Sequence, residues 1–144
     1  MVNKAAILDT GALVAFLSRG DRFHLWAVAT FKKLPPTLLT CESVLSELFF
    51  LLRKDSHGIE LALQIVRQGL LSLCSISEDF ERVLELMHKY SNVPMSFADA
   101  CLVCMAEDFE TGDILTLDSD FEVYRWSSRK AFTILVDFTE ASDK

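Results

Sequence analysis

Residues 5–16, Ala5-Ala6-Ile7-Leu8-Asp9-Thr10-Gly11-Ala12-Leu13-Val14-Ala15-Phe16, decide how the chain folds. The apolar run before Asp9 has the size of a buried strand, and after Thr10-Gly11 the apolar residues continue at helical spacing. Asp9 is therefore expected at the carboxyl end of a central strand. In open α/β sheets that edge carries the ligand sites, because the loops leaving the strand ends splay apart into a crevice.

Outward from this stretch, strands alternate with helices. Strands are predicted over 4–9, 37–40, 70–76, 114–117 and 132–136. Helices are predicted over 11–18, 23–34, 41–54, 59–68, 77–90 and 97–109, with 120–130 as a polar and aromatic connection. In the helix over 23–34, Leu25, Val28 and Ala29 supply the apolar face, and Pro35-Pro36 ends it. Thr40 is placed to cap the next helix, whose Val44, Leu48, Leu51 and Leu52 fall on one buried face. Phe80, Val83, Leu84 and Met87 are expected to point inward from the helix over 77–90, and Ser96 heads the helix over 97–109. Short strands that are apolar on both faces mark a parallel sheet covered by helices. The expectation is an α/β/α sandwich with a mainly parallel sheet of four to five strands.

The chain has 144 residues, 51% of them hydrophobic, which is enough to bury a core without disulfides or metals. Residues 1–136 are read as one domain and 137–144 as a polar tail that frays. No apolar run approaches the roughly 20 residues needed to cross a bilayer, and the N-terminus lacks a secretory h-region, so a cytoplasmic protein is expected. A formal charge of −7 argues against binding nucleic acid through overall basicity, although a local basic rim is compatible with it. The charge suits a site where acids gather round a cation, or a basic partner. Cys41, Cys74, Cys101 and Cys104 lie in apolar segments. They are read as buried thiols, because the C-x-x-C spacing of Cys101 and Cys104 has no second pair and no histidine at ligand spacing.

Four acids stand out. Asp9 has a local role open to it as a helix cap, Asp118 as the head of an Asx turn, and Asp99 as the partner of Ser96 in a capping box. Glu47 lies among Val44, Leu48 and Leu51, with no lysine or arginine three or four residues away, and Asp99 is equally without a local cation. A carboxylate in an apolar region must find a partner or lose its charge, since desolvating an unpaired ion costs several kcal/mol. Carboxylates meeting in one crevice raise one another's pKa values, and a shared cation resolves both problems. A set of oxygen ligands selects a hard ion of the Mg²⁺ or Mn²⁺ type.

Taken together, Ile7-Leu8-Asp9-Thr10, Ser46-Glu47-Leu48, Ser96-x-x-Asp99-Ala100 and Thr116-Leu117-Asp118-Ser119-Asp120-Phe121 resemble the PIN domain, and within it the VapC-like toxins of toxin-antitoxin pairs. The resemblance covers nearly the whole chain. It implies the same α/β/α sandwich and a Mg²⁺- or Mn²⁺-dependent endoribonuclease. Water would attack an RNA phosphodiester in line, leaving a 5′-phosphate and a 3′-hydroxyl with no covalent enzyme intermediate. It also implies that Asp9, Glu47, Asp99 and Asp118 form the acidic quartet, that Asp120 is an additional acid, and that Thr10 and Thr116 are supporting hydroxyls. A homodimer and a cognate antitoxin are implied as partners.

Arg19, Arg22, Lys32 and Lys33 are candidates for phosphate contact, against the plainer reading of solvated surface charge. His24, His57 and His88 share no face with the acids, and Trp26 and Trp126 are read as core or interface. Asp9-Thr10-Gly11 also resembles an aspartic-protease motif, but that fold is all-β. A haloacid-dehalogenase phosphatase needs a second aspartate where Gly11 stands. The alternative from a different class is a PIN-fold binding or assembly module with little or no nuclease activity.

Overall fold

The structure, a computed structural model, describes residues 4–135; Val136 and the tail over 137–144 lie outside the described residues. The chain runs β1 (Ala5–Leu8), α1 (Thr10–Leu17), α2 (His24–Phe31), β2 (Thr37–Cys41), α3 (Glu42–Leu51), α4 (Ser56–Arg67) and β3 (Ser72–Cys74). It continues through α5 (Phe80–Lys89), α6 (Phe97–Phe109), β4 (Asp113–Leu115), the short pair β5 (Arg125–Trp126) and β6 (Lys130–Ala131), and β7 (Thr133–Ile134). Single 3₁₀ turns precede α5 and follow β4.

The main sheet has the order β3-β2-β1-β4-β7, and every pairing in it is parallel. From β1 the chain steps outward through β2 to β3, then returns across the sheet to place β4 on the other side of β1. Right-handed crossovers therefore put α1–α4 on one face and α5–α6 on the other. This is the expected α/β/α sandwich. Its centre is dry: Ile7, Leu8, Ile114 and Leu115 on the strands, and every residue from Ala100 to Ala106 on α6, are buried. Where the strand order reverses, between β1 and β4, the two strand ends diverge and a crevice opens.

Local chemistry shifts several boundaries. Thr40 does not cap α3; its hydroxyl donates to the Leu8 carbonyl (3.1 Å), tying β2 to β1, and Cys41 takes the capping position. The helix expected from 59 begins at Ser56, because the Asp55 carboxylate accepts from the Gly58 amide (2.9 Å) and caps it. On α2 the buried residues are Trp26 and Ala27, while Leu25 and Ala29 are exposed. Leu51 on α3 is exposed as well, and α5 buries Val83 and Leu86 whereas Phe80 and Leu84 face outward. Each of these helices packs on a single side, so the inward stripe is narrower than the apolar pattern suggested. The strands over 70–76 and 132–136 shorten to Ser72–Cys74 and Thr133–Ile134.

Trp126 closes the end of the sheet beyond β4. Its indole N–H donates to the Ala131 carbonyl (3.2 Å), and its ring lies against Gly112, where any Cβ would collide with it. Gly112→Ala is expected to cost about 1–3 kcal/mol through this overpacking. Gly20→Ala, with nothing within 4 Å of the added carbon, is the matched control. Thermal melts of the two variants should differ clearly; equal melting temperatures would show that the Trp126 contact is slack.

Candidate metal centre

Asp9 follows β1 and is the N-cap of α1. Its Oδ1 accepts from the Thr10 amide (2.7 Å), while its own amide donates to the Leu115 carbonyl (3.1 Å), fastening it to β4. Asp118 follows β4 and heads an Asx turn, with Oδ1 accepting from the Asp120 amide (2.9 Å). Asp99 is in the first turn of α6. There Ser96 Oγ accepts from the Asp99 amide (3.0 Å), which satisfies that N–H and leaves the Asp99 carboxylate free of capping duty. The local roles foreseen for Asp9 and Asp118 are thus real, but each uses only one oxygen.

The three carboxylates converge. One carboxylate oxygen from each of Asp9, Asp99 and Asp118 lies within 4.8 Å of the other two. Octahedral coordination of Mg²⁺ at about 2.1 Å puts neighbouring ligand oxygens about 3 Å apart and opposite ones about 4.2 Å apart, so the three residues fit a divalent ion with little movement. The donors are all oxygens, the preference of a hard cation.

Neutral donors hold the cluster in place. The buried Thr116 hydroxyl donates to Asp9 Oδ2 (2.7 Å) and accepts from the Asp118 amide (2.9 Å), linking two of the acids through one atom. The Tyr124 hydroxyl donates to Asp99 Oδ2 (3.1 Å). Thr10 Oγ1 donates to Glu47 Oε2 (3.1 Å). Tyr124 was not singled out from the sequence. It lies in the irregular connection after β4, and no local spacing pairs it with a residue on α6.

Glu47 differs from its expectation. It is exposed, on the solvent side of α3 with Phe50 and Leu51, rather than on a buried stripe. Through Thr10 it stands at the rim of the three-aspartate cluster, where its charge still contributes to raising the Asp9 pKa. Asp120 sits beside Asp118, outside the set of three.

The basic candidates fall elsewhere. Arg19 follows the C-terminus of α1, whose eight residues carry the chain about 12 Å from Thr10. There its charge helps to lower the Asp55 pKa, and the Asp55 carboxylate accepts from Ser18 Oγ (2.8 Å). Arg22 is one turn further along, stacked over Phe23. Lys32 and Lys33 lead into β2 at the opposite, amino edge of the sheet.

Burial, followed by the Asp9 charge, pushes the Asp99 carboxyl up to about 7. Burial is also the largest cause raising Asp9, offset in part by the Thr116 and Thr10 hydrogen bonds. With no metal bound, the native state holds on to protons that the unfolded chain has released. The contribution of Asp99 to stability is complete below pH 4 and is lost as pH rises through about 7. Metal-free wild-type protein should therefore melt at progressively lower temperature between pH 4 and pH 7, the loss being on the order of a few kcal/mol. Asp99→Asn should make this slope shallower, leaving the part that Asp9 contributes, and melt above the wild type at pH 7.5. Parallel slopes for the two proteins would contradict the assignment.

Comparison with known proteins agrees with this geometry. A family model of the PIN domain matches residues 6–126. Ribonuclease VapC26 of Mycobacterium tuberculosis is 27% identical over 135 residues, spanning 90% of this chain and 98% of that protein. The crystal structure of Mycobacterium tuberculosis VapC20, described as a sarcin-ricin loop cleaving toxin, has a TM-score of 0.75 at 21% identity. That match covers 83% of this chain and 94% of the other. An acid at the end of a central strand, a second on the helix that crosses behind it and a third beyond the neighbouring strand are thus set in a shared fold, and the chain belongs to the PIN domain family.

Proposed function

We propose that this protein is a divalent-cation-dependent endoribonuclease, acting as the toxin of a type II toxin-antitoxin pair. The observation that carries the reading is the convergence of Asp9, Asp99 and Asp118 from three separate elements, with no lysine or arginine bridging to them among the described residues. Its similarity to a VapC ribonuclease over nearly the full length of both chains supports the activity.

In this reading Asp9, Asp99 and Asp118 hold Mg²⁺ or Mn²⁺, with Glu47 and Asp120 completing the acidic surface around it. When bound, the ion supplies a Lewis acid for the phosphodiester and favours ionisation of the attacking water. The chain's own groups provide the preorganisation. Thr116 fixes the Asp9 carboxylate, Tyr124 fixes that of Asp99, and Thr10 anchors Glu47 at the mouth, where its free oxygen can accept a proton from water. Asp9 and Asp118 keep one oxygen each on backbone amides, which limits their rotation as RNA enters. Arg19 and Arg22 are left as outlying phosphate contacts for a long substrate.

Residues 1–136 act as the functional unit in this reading, and the setting is cytoplasmic; no described helix is long and apolar enough to cross a membrane. The net charge of −7 favours an antitoxin whose contacting segment is basic. Exposed apolar side chains on α3 and α5, Phe50, Leu51, Phe80 and Leu84, favour a homodimer that covers them. The alternative, a PIN-fold assembly module, has no need of buried, mutually repelling aspartates.

The test is cleavage of total cellular RNA with Mn²⁺, with new ends mapped by sequencing so that a narrow target is not missed. Wild-type protein should create discrete 5′-phosphate ends, which Asp9→Asn or chelation should reduce by about 100-fold or more. Thr116→Val, which removes only the supporting hydroxyl, should reduce them by about 10–100-fold. Identical end profiles for wild type and Asp9→Asn would overturn the nuclease reading.

A further inference from the structure

We propose that the β5–β6 hairpin is a docking arm for the RNA backbone, in which Arg129 and Lys130, with Lys89 beside them, hold phosphates of the strand flanking the cleaved bond. The substrate role rests on the nuclease reading. Between Glu122 and Asp137 the sequence has no acid and three cations, Arg125, Arg129 and Lys130, in a chain whose formal charge is −7. A local reversal of charge of this kind suits contact with a polyanion.

The arm is tied to the metal centre by hydrogen bonds at two levels of α6. The Tyr124 hydroxyl donates to Asp99 Oδ2 (3.1 Å) in the first turn, and three residues later the Ser127 amide donates to Glu107 Oε2 (2.7 Å). Asp99 and Glu107 are eight residues apart on α6, so the segment leads about 12 Å along the helix away from the aspartates. One strand carries a phosphate about every 3.4 Å of axis, so that length spans about three or four phosphates. Arg125 stiffens the path: its Nη1 donates to the carbonyls of Glu122 (2.8 Å), Val123 (3.1 Å) and Tyr124 (2.9 Å), and its amide donates to the Tyr90 hydroxyl (3.1 Å).

At the far end Ser127 and Ser128 turn the chain with positive φ (48° and 71°), which pairs Trp126 with Lys130 and leaves Arg129 at the tip. Lys130 Nζ stands over the Trp126 ring (4.6 Å), and Lys89, at the end of α5, stands over the Tyr90 ring (5.2 Å). Both ammonium groups are thus positioned by aromatic faces, which orient a cation without neutralising it. Lys89, Arg129 and Lys130 are exposed, and none forms an ion pair among the described residues. Glu107, the acid that meets the hairpin, is already held by Arg82 at 3.0 Å to each of its oxygens. The three cations therefore keep their charge for a partner, and phosphate contacts of this type fix register without reading sequence.

The experiment is fluorescence anisotropy of a fluorescein-labelled single-stranded RNA of about 20 nucleotides with the metal-free full-length chain, repeated between about 50 and 200 mM salt. Arg129→Ala with Lys130→Ala should weaken binding about tenfold or more at the low-salt end. The slope of log affinity against log salt should become shallower by about 1.4, the share of two single-strand phosphate contacts. Arg129→Glu, which leaves the stacking of Lys130 on Trp126 intact, should also weaken binding about tenfold or more. Lys54→Ala with Arg67→Ala removes the same charge from exposed positions beside α3 and α4, on the other face of the sheet, and should bind as wild type does. Hairpin variants that bind as wild type, equal losses in hairpin and control variants, or a wild type that binds no RNA would overturn the proposal. Cleavage judges the nuclease reading separately: identical RNA ends from wild type and Asp9→Asn would remove it and the substrate role, while the anisotropy series still decides the RNA contact.

Discussion

Mutual repulsion among Asp9, Asp99 and Asp118 is the constraint around which this fold is arranged. Bringing three carboxylates within 4.8 Å of one another, two of them almost fully buried, works against folding unless protons or a cation intervene. The parallel sheet supplies the placement, because the reversal of strand order between β1 and β4 opens a crevice at their carboxyl ends. The stretch of α6 from Asp99 to Ala106, all of it buried, supplies the rigidity. It brings Asp99 across behind the sheet and leaves it little freedom to withdraw.

The hydrogen bonds around the cluster come mainly from neutral donors. Thr116, Tyr124, and the Thr10 and Asp120 amides orient the carboxylates without neutralising them. A lysine or arginine in their place would satisfy the acids and close the site to a cation. In the proposed reading, stability is given up locally for cation binding, and the large apolar core on both faces of the sheet offsets it.

Much of this was legible in the sequence, for identifiable reasons. Asp9 was visible because an apolar strand ending on an acid and passing straight into a helix admits few geometries, and Asp118 repeats the pattern one strand over. Asp99 was marked by Ser96 three residues earlier. Glu47 was legible as a candidate but misplaced in depth: its apolar neighbours Phe50 and Leu51 are themselves exposed, so a stripe of hydrophobic residues on α3 did not mean burial. Arg19 and Arg22 are close to Asp9 along the chain, but an intervening helix converts that closeness into distance. Tyr124 reaches Asp99 from a segment far away in sequence, and no periodicity within one element reports the pairing.

The most direct test of the central claim is calorimetric titration of the metal-free protein with Mn²⁺ near pH 6.5, in buffers of different ionisation enthalpy. If a shared cation takes the place of the proton held by Asp99, wild-type protein binds Mn²⁺ and releases close to one proton per ion, and Asp99→Asn loses the binding. Absence of binding in the wild type, or equal binding without proton release in both proteins, would contradict the account.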